Sequence, residues 1–261
     1  MNNLLVVGGT CNELDCAHNA LANLDWLEHS FVLCDGDSSM SAESAFNDRI
    51  RQSPVLDMIT FVAKEGGQVL DQILRLSKIA KTHGILSIVI VESENYKTTD
   101  ALAEYSLNKD HLLSHADSLL LVPKTQIQEG SFYSHVVTFL SFSKMLLSEE
   151  GFINLELSDF CTVFKDAGLG YLGNCTIKGS SCEERMQEMS KQEIVPEIIL
   201  TKAQNVLIQI NGCMDFGLDD LEGLVGQVQQ HLPPDTPVLF GASFDSELQN
   251  EIQMALLATG F

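Results

Sequence analysis

A short acidic pattern in the second half of the chain is the first candidate for a functional site. In the stretch GFINLELSDFCTVF, Asn154, Glu156 and Asp159 form an Asn-x-acid-x-x-acid pattern on a loop that enters a predicted helix. Carboxylates at the start of a helix stabilise the positive end of its dipole, so one interpretation is helix capping alone. The other is a pair of acids that polarises a water molecule or meets a partner's positive surface.

The first glycine turn of the chain has part of the pattern of a dinucleotide site. Gly8 and Gly9 follow the first apolar run, and Asp35 and Asp37 end the second, where a ribose-binding acid would lie. However, no third glycine follows, and Glu13 and Asp15 would crowd a pyrophosphate with like charge. This pattern favours a plain strand-to-helix turn.

A second glycine turn, formed by Gly66 and Gly67, follows the third apolar run. Backbone N–H groups that glycine leaves uncovered cradle phosphate at the carboxyl ends of parallel strands. Here a carboxylate, Glu65, stands directly before the glycines, where a phosphate would meet negative charge.

The cysteines and histidines do not have the spacing of a metal site. Cys11, Cys16 and His18 form one group and Cys175 and Cys182 another, but neither has the Cys-x-x-Cys spacing of zinc motifs. We therefore predict no metal. Seven scattered cysteines do not form a disulfide framework either, which fits a reducing cytoplasm.

The first half alternates short apolar runs with helical periodicity, which predicts an α/β fold. Strands that are apolar on both faces belong to parallel sheets covered by helices on both sides. The predicted strands are NLLVV (3–7), SFVLC (30–34), MITFVA (58–63), ILSIVIV (85–91) and SLLLV (118–122). After a helix near 133–147, the second half predicts a smaller α/β unit with a mixed sheet.

The charge of the chain limits its partners. Asp and Glu number 36 against 15 Lys and Arg, which gives a net charge of −21. Such a surface repels nucleic acid and anionic lipid, so neither is expected as a partner. Because the chain has no signal peptide or transmembrane run and ends at Phe261 directly after the last predicted strand, we expect a cytoplasmic protein without direct membrane contact.

Long stretches of the chain resemble the bacterial tubulin homologue FtsZ. GFINLELSDFCTVFKDAGLGYLGNCTIKG is similar to that family from the end of its central helix through the catalytic synergy loop into the second domain. LTKAQNVLIQINGCMDFGLDDLEGLVGQV and TPVLFGASFDSELQNEIQMALLATGF resemble the rest of that domain, and the final Ala-Thr-Gly-Phe closes it in the family. In the first half, GILSIVIV and HADSLLLVP are similar to its fourth and fifth core strands.

The resemblance implies a domain order and a role for the acidic pattern. Residues 1–130 would form a Rossmann-like, nucleotide-binding-type α/β domain with a parallel sheet, residues 131–150 the central helix, and residues 151–261 a smaller α/β domain. Asn154, Glu156 and Asp159 would stand at the asparagine and the two aspartates of the synergy loop. In FtsZ filaments this loop completes the GTPase site of the next subunit.

The same resemblance implies that the nucleotide site is a relic. The family's signature Gly-Gly-Gly-Thr-Gly-Thr-Gly corresponds here to EGGQVLD (65–71), which introduces two carboxylates and several bulky side chains where a triphosphate would bind. The stretch between 37 and 57 is also shorter than in the family. The remains of the site are five residues: Gly8, Gly9, Asp37, Gly66 and Gly67.

We therefore expect a bacterial, FtsZ/tubulin-like protein of the cytoskeleton or of cell division that binds no cofactor and is not an enzyme. It would act through protein–protein contacts, by capping or modulating filaments of an FtsZ-type subunit or by self-association. The alternative is a divergent, self-assembling GTP hydrolase that binds GTP or GDP with Mg. A third hypothesis is a fold reused for an unrelated ligand or partner.

Overall fold

The computed structural model describes residues 4–8, 30–32, 39–52, 56–63, 68–93, 109–123, 132–145, 153 and 155–261. The chain divides into two compact units. The first comprises Met1–Ser141 with Phe164–Gly170, and the second comprises Phe142–Val163 with Tyr171–Phe261.

A parallel sheet forms the centre of the first unit. Its strands are β1 (Leu4–Gly8), β2 (Ser30–Val32), β3 (Met58–Ala63), β4 (Leu86–Ser93) and β5 (Ser118–Pro123). They lie in the order β2-β1-β3-β4-β5, and each neighbouring pair is parallel. Every residue of β3 is buried, as expected of a strand that is covered on both faces. The structure thus confirms the α/β class and places all five predicted strands within two residues of their predicted ends.

The helices of the first unit are α1 (Ser39–Gln52), α2 (Gln68–Thr82), α3 (Lys109–Leu113) and the first part of α4 (Phe132–Met145). α2 shows why these crossover helices form. Ile73, Leu76 and Ala80 recur at three- and four-residue spacing, and all are buried. Gly84 follows with a φ of 75°, the left-handed conformation that glycine adopts without strain, so it ends the helix as the sequence predicts.

Lys81, in the last turn of α2, links this helix to two other segments of the first unit. Its Nζ donates hydrogen bonds to the backbone carbonyls of Leu113 (2.8 Å) and Ala116 (3.2 Å). It also forms ion pairs with Asp117 (3.2 Å) and Asp166 (2.6 Å). One side chain therefore ties α2 to the turn before β5 and to the turn at 165–167.

The second unit contains a mixed sheet, as predicted. Its strands are β6 (Gly168–Lys178, from Tyr171 onward), β7 (Asn205–Gly212), β8 (Val238–Phe244) and β9 (Glu251–Thr259), in the order β6-β9-β7-β8. β7 is parallel to β8 and antiparallel to β9. The helices are α5 (Leu157–Phe164), α6 (Cys182–Met189), α7 (Glu197–Leu200) and α8 (Leu218–Gln229).

The glycine-rich run GLGYLGNCTIK is strand β6. Its glycines permit close packing against a neighbouring backbone. At Gly173 an added Cβ would lie 2.0 Å from the carbonyl oxygen of Ile194, so no other residue fits there without a shift of the backbone.

Three further properties concern only the part of the chain that the structure describes. None of its helices is long and apolar enough to span a bilayer. Its four cysteines, Cys161, Cys175, Cys182 and Cys213, are free thiols. Within the same ranges, no three or more His, Cys, Asp or Glu side chains are grouped as a metal site would require.

Candidate functional site

The segment that carries the acidic pattern is fixed to the sheet of the second unit. Ile153 forms an antiparallel bridge with Ala242 of β8, in which each N–H donates to the other residue's carbonyl at 3.0 Å. Leu155 is only 8% exposed and packs over Gly241, where an added Cβ would lie 3.1 Å from Leu155 Cδ1. These contacts hold the backbone at the entry to α5.

α5 begins with a cap that the acidic pattern itself builds. Asp159 Oδ2 accepts a hydrogen bond from the backbone N–H of Glu156 at 2.7 Å. The carbonyl of Glu156 in turn accepts hydrogen bonds from the N–H groups of Asp159 (3.0 Å) and Phe160 (3.3 Å). This is the half of a capping box in which the third helical residue reaches back to the N-cap. In this structure Asp159 therefore caps the N-terminus of α5.

The cap leaves one acid of the pattern facing solvent. Glu156 is exposed, Asp159 is half-buried, and Ser158 Oγ donates to Glu156 Oε2 at 3.4 Å. The other end of α5 is anchored too, because Thr259 Oγ1 donates to the carbonyl of Val163 at 2.8 Å. The structure thus brings two of the three predicted site residues together at a fixed helix N-terminus. The third, Asn154, lies outside the described residues.

The residues predicted to remain from a nucleotide site are placed only in part. Gly8 is the last residue of β1, and α2 begins at Gln68. The others lie outside the described residues: Gly9, Asp37, Gly66 and Gly67. Leu70 is 2% exposed and faces the core, so its bulk does not obstruct the helix N-terminus in the way the sequence suggests. Asp71 is exposed in the first turn of α2 and places a carboxylate there.

A buried ion-pair cluster in the second unit is not predicted by the sequence. Arg185 of α6 is 1% exposed, and its guanidinium donates through Nη1 to Asp220 (2.8 Å) and through Nη2 to Asp215 (2.9 Å). Nη2 also lies 3.3 Å from Cys213 Sγ, and Nε donates to the carbonyl of Gly179 at 3.0 Å. We call Arg185, Asp215, Asp220 and Cys213 the Arg185 cluster.

The cluster holds the loop between β7 and α8, residues 213–217, in place. Cys213 Sγ donates to Asp215 Oδ1 at 2.8 Å, and the N–H of Gly217 donates to Asp220 Oδ2 at 3.0 Å. Phe216 packs so closely on Gly212 that an added Cβ there would lie 2.4 Å from the phenyl Cγ. Hydrogen bonds and the packing of Phe216 on Gly212 therefore fix the conformation of the β7–α8 loop.

Sequence reasoning misses this cluster because Arg185 stands in CEERMQEM, which has the composition of a solvated helix face. Its two acidic partners lie 30 and 35 residues away. The sequence contains one hint. No Lys or Arg follows Lys202, so a carboxylate buried in the last part of the chain needs a cation from an earlier segment.

Hydrogen bonds and burial change the pKa values of two members of the Arg185 cluster and of two other cysteines of the second unit. The Cys213 thiol, followed by the Arg185 guanidinium, holds the pKa of Asp215 below its ordinary value. Burial raises the pKa of Cys213, and burial together with Asp220 raises that of Cys182. Burial also raises the pKa of Cys175 to about 12. These thiols therefore stay protonated at neutral pH and are poor nucleophiles.

Replacing Asp215 with asparagine tests the cluster through its pH dependence. A carboxyl whose pKa is lowered by folding stabilises the native state above its unfolded pKa, and this contribution is lost as the pH falls through the folded value. Asp215→Asn should therefore lower Tm by a few degrees near neutral pH, and the difference from wild type should shrink as the pH falls below the ordinary pKa of an aspartate, about 3.9. Thermal unfolding followed by circular dichroism across this range measures it.

The control for this prediction is Asp235→Asn, which changes an exposed aspartate of the same unit. Its Tm should follow that of the wild type at each pH. A destabilisation by Asp215→Asn that persists undiminished in acid would contradict the assigned role of the carboxylate.

Comparison with known proteins matches the second unit to one family. Residues 170–261 match the model of the FtsZ family, C-terminal domain. Cell division protein FtsZ of Wigglesworthia glossinidia brevipalpis is 26% identical over 199 residues, which cover 71% of this chain and 52% of that protein. Cell division protein FtsZ of Haloferax mediterranei is 23% identical over 246 residues, which cover 86% and 62%. The chain spans about half to three fifths of the length of these curated relatives.

Solved structures resemble the chain along its whole length. An empty FtsZ dimer from M. jannaschii has a TM-score of 0.71 at 17% identity, with 100% of this chain and 88% of that chain covered. CetZ2 from Haloferax volcanii, a GTPgS-bound protofilament, has a TM-score of 0.67 at 14% identity, with 99% and 92% covered. At these identities the likeness shows the fold, which FtsZ and CetZ share with this chain.

Proposed function

We propose that this FtsZ/tubulin-like protein, which is related to proteins of the cytoskeleton and of cell division, acts through protein–protein contacts and not as a GTPase. It docks the loop and cap at 153–159 onto an FtsZ-type subunit and so caps or modulates filaments in the cytoplasm. The observation that supports this most is the acidic cap, which is anchored and exposed while the candidate nucleotide site carries negative charge.

The charge at the start of α2 supports the loss of nucleotide. The N-terminus of a helix after a parallel strand attracts phosphate. Asp71 is exposed in this first turn, and Glu65 stands just before the glycine pair in the sequence. One carboxylate in this turn and a second one a few residues earlier in the sequence disfavour a triphosphate, so these residues do not fit GTP.

The geometry of the acidic cap supports docking. Its backbone is held by the bridge to Ala242, by the buried Leu155 and by the capping bond of Asp159. A surface that is already ordered loses little conformational entropy when it binds. Glu156 presents its carboxylate from this fixed backbone, so it can pair with a Lys or Arg of the partner.

Substitutions of Glu156 and of Asp159 have different effects on the cap. Glu156→Gln removes an exposed charge and leaves the backbone bonds of the cap intact. Asp159→Ala also removes the capping bond, which costs about 1 kcal/mol of helix stability. Glu156→Gln is therefore the sharper test of docking.

Co-sedimentation with assembled filaments of a GTP-bound FtsZ tests the proposal. We expect wild-type protein in the pellet, about tenfold weaker binding for Glu156→Gln because a charged interface contact is lost, and a similar loss for Asp159→Ala. Glu183→Gln, which changes an exposed glutamate of the same unit, should bind as the wild type. Wild-type protein that stays in the supernatant at every filament concentration would refute the proposal.

The second candidate function is a divergent GTPase that assembles with itself. It is favoured by the two carboxylates at the position of the synergy loop and by the protofilament form of CetZ2, a protein of the same fold. This candidate requires saturable GTP binding, and it predicts that turnover rises with protein concentration as subunits complete each other's sites.

A further inference from the structure

A cleft opens between α6, α7 and α8 in the second unit. It has a volume of about 560 Å³, and it lies where the end of α6, the segment 190–195, α7 and the end of α8 meet. Clefts that bind small molecules have volumes of about 300–1,000 Å³ and combine an apolar lining with a few polar groups. The size of this cleft therefore suits a small molecule.

The floor of the cleft is apolar. Six lining side chains form it, and none is more than 7% exposed: Met189, Ile194, Val195, Leu200, Val228 and Leu256. They come from α6, the segment after it, α7, α8 and β9, so the floor exists only when these elements pack together. Moving an apolar group from water onto such a floor is favourable.

Two glutamines that line the cleft hold its walls in place. Gln192 Nε2 donates to the carbonyl of Thr176 in β6 at 3.1 Å. Gln227 Nε2, in α8, donates to the carbonyl of Met186 in α6 at 3.1 Å. The cleft is therefore formed before a ligand arrives, and binding costs little conformational entropy.

The mouth of the cleft is negatively charged. Glu193 and Glu197 line it and are exposed, and Lys191 is the one lysine or arginine among the described residues that line it. Lys191 Nζ pairs with Glu188 at 3.0 Å, which offsets its charge. Glu197 Oε1 lies 3.8 Å from His231 Nδ1, which is beyond hydrogen-bond distance, so this carboxylate can pair with another cation.

Two helix ends add to the negative charge of the mouth. Ser190, the C-cap of α6, and Gln230, the C-cap of α8, both line the cleft. The C-terminus of a helix carries about half a negative charge from its carbonyl groups, which favours cations. The net charge of −21 acts in the same direction. A protonated amine therefore suits this mouth better than a carboxylate or a phosphate does.

We propose that the cleft binds a small amphipathic amine. The apolar body of the ligand packs on the floor, and its ammonium group pairs with Glu197 at the mouth. The cleft shares no residue with the acidic cap at Glu156 and Asp159. This proposal therefore does not depend on the filament contact proposed above.

Two fluorescent probes with the same apolar body test the proposal on the full chain. Dansylcadaverine carries a protonated amine at the end of its alkyl chain, and dansyl-aminohexanoic acid carries a carboxylate there. Dansylcadaverine should bind saturably, with a blue shift of its emission as the dansyl group leaves water. The carboxylate probe should bind about tenfold more weakly, because it meets the negative mouth.

Matched variants test the charge and the floor separately. Glu197→Gln should weaken dansylcadaverine about threefold, as loss of a solvent-exposed ion pair does. Glu222→Gln makes the same change in net charge at an exposed glutamate of α8 outside the cleft, and it should bind as the wild type. Val228→Phe fills the floor and should remove saturable binding, while thermal unfolding checks that the variant is folded.

A measurement on the wild-type chain locates the probe without any substitution. In protein labelled with 13C at the methionine methyl groups, dansylcadaverine should shift the resonance of Met189, which lies in the floor. The resonance of Met214, which is 69% exposed and lies outside the cleft, should stay in place.

Each of four results would overturn the proposal. The first is the absence of saturable binding by dansylcadaverine. The second is equal affinity for the two probes, which would mean that the cleft does not select a cation. The third is equal binding by Glu197→Gln and Glu222→Gln, which would mean that only the net charge attracts the probe. The fourth is an unmoved Met189 resonance at saturating probe.

Discussion

Replacing Arg185 with alanine is expected to lower the Tm of the protein by about 10 °C. The substitution leaves the buried Asp220 without its cation, and breaking a buried ion pair from one side costs about 3–5 kcal/mol. In a protein of this size, 1 kcal/mol corresponds to about 2–4 °C in Tm. Thermal unfolding near neutral pH, followed by circular dichroism or calorimetry, measures the effect.

Lys191→Ala is the matched control for the loss of a cation. Lys191 pairs with Glu188 at 3.0 Å in the same unit, but both side chains are solvated. Such a pair contributes about 0–1 kcal/mol, so the shift in Tm should be about 4 °C or less. If Arg185→Ala shifted Tm no further than this control, the stabilising role of the cluster would be wrong.

A double substitution separates the lost charge pair from the lost packing. Arg185→Met combined with Asp220→Asn keeps an apolar stem in the core and removes the carboxylate that the single change leaves buried and unpaired. It should recover part of the Tm that Arg185→Ala loses, because the uncompensated charge is the larger cost. The asparagine also keeps an oxygen that can accept from the N–H of Gly217 at the start of α8.

Calorimetric titration of the protein with GTP or GDP in the presence of magnesium is expected to show no saturable binding. The reason is the negative charge of Asp71 in the first turn of α2 and of Glu65 before it. CetZ2 from Haloferax volcanii, whose solved structure is a GTPgS-bound protofilament, is a suitable positive control under the same conditions. Phosphate release measured on the same sample should stay at the level of the buffer.

Saturable binding at micromolar nucleotide would reverse this conclusion. If turnover also rose with protein concentration, the divergent GTPase would be the better description, and Glu156 and Asp159 would become candidates for a shared catalytic site. A silent titration together with filament binding supports a protein that meets FtsZ-type subunits without using nucleotide.

The sequence by itself determined those features that depend on residues close together in the chain. The strands of the first unit follow from uninterrupted apolar runs, because a strand covered on both faces needs apolar side chains at every position. The end of α2 follows from Gly84, whose φ of 75° is a local requirement. The cap of α5 follows from the three-residue spacing of Glu156 and Asp159, which lets the second side chain reach the backbone of the first.

The tertiary structure alone decided those features that depend on which remote elements meet. Arg185 has the sequence context of a solvated residue, yet it is buried because α6 packs where Asp215 and Asp220 arrive from the start of α8 and the loop before it. Leu70 faces the core because of the orientation of α2 on its sheet. Burial and pairing are set by contacts between distant segments, and no local pattern of residue types encodes them.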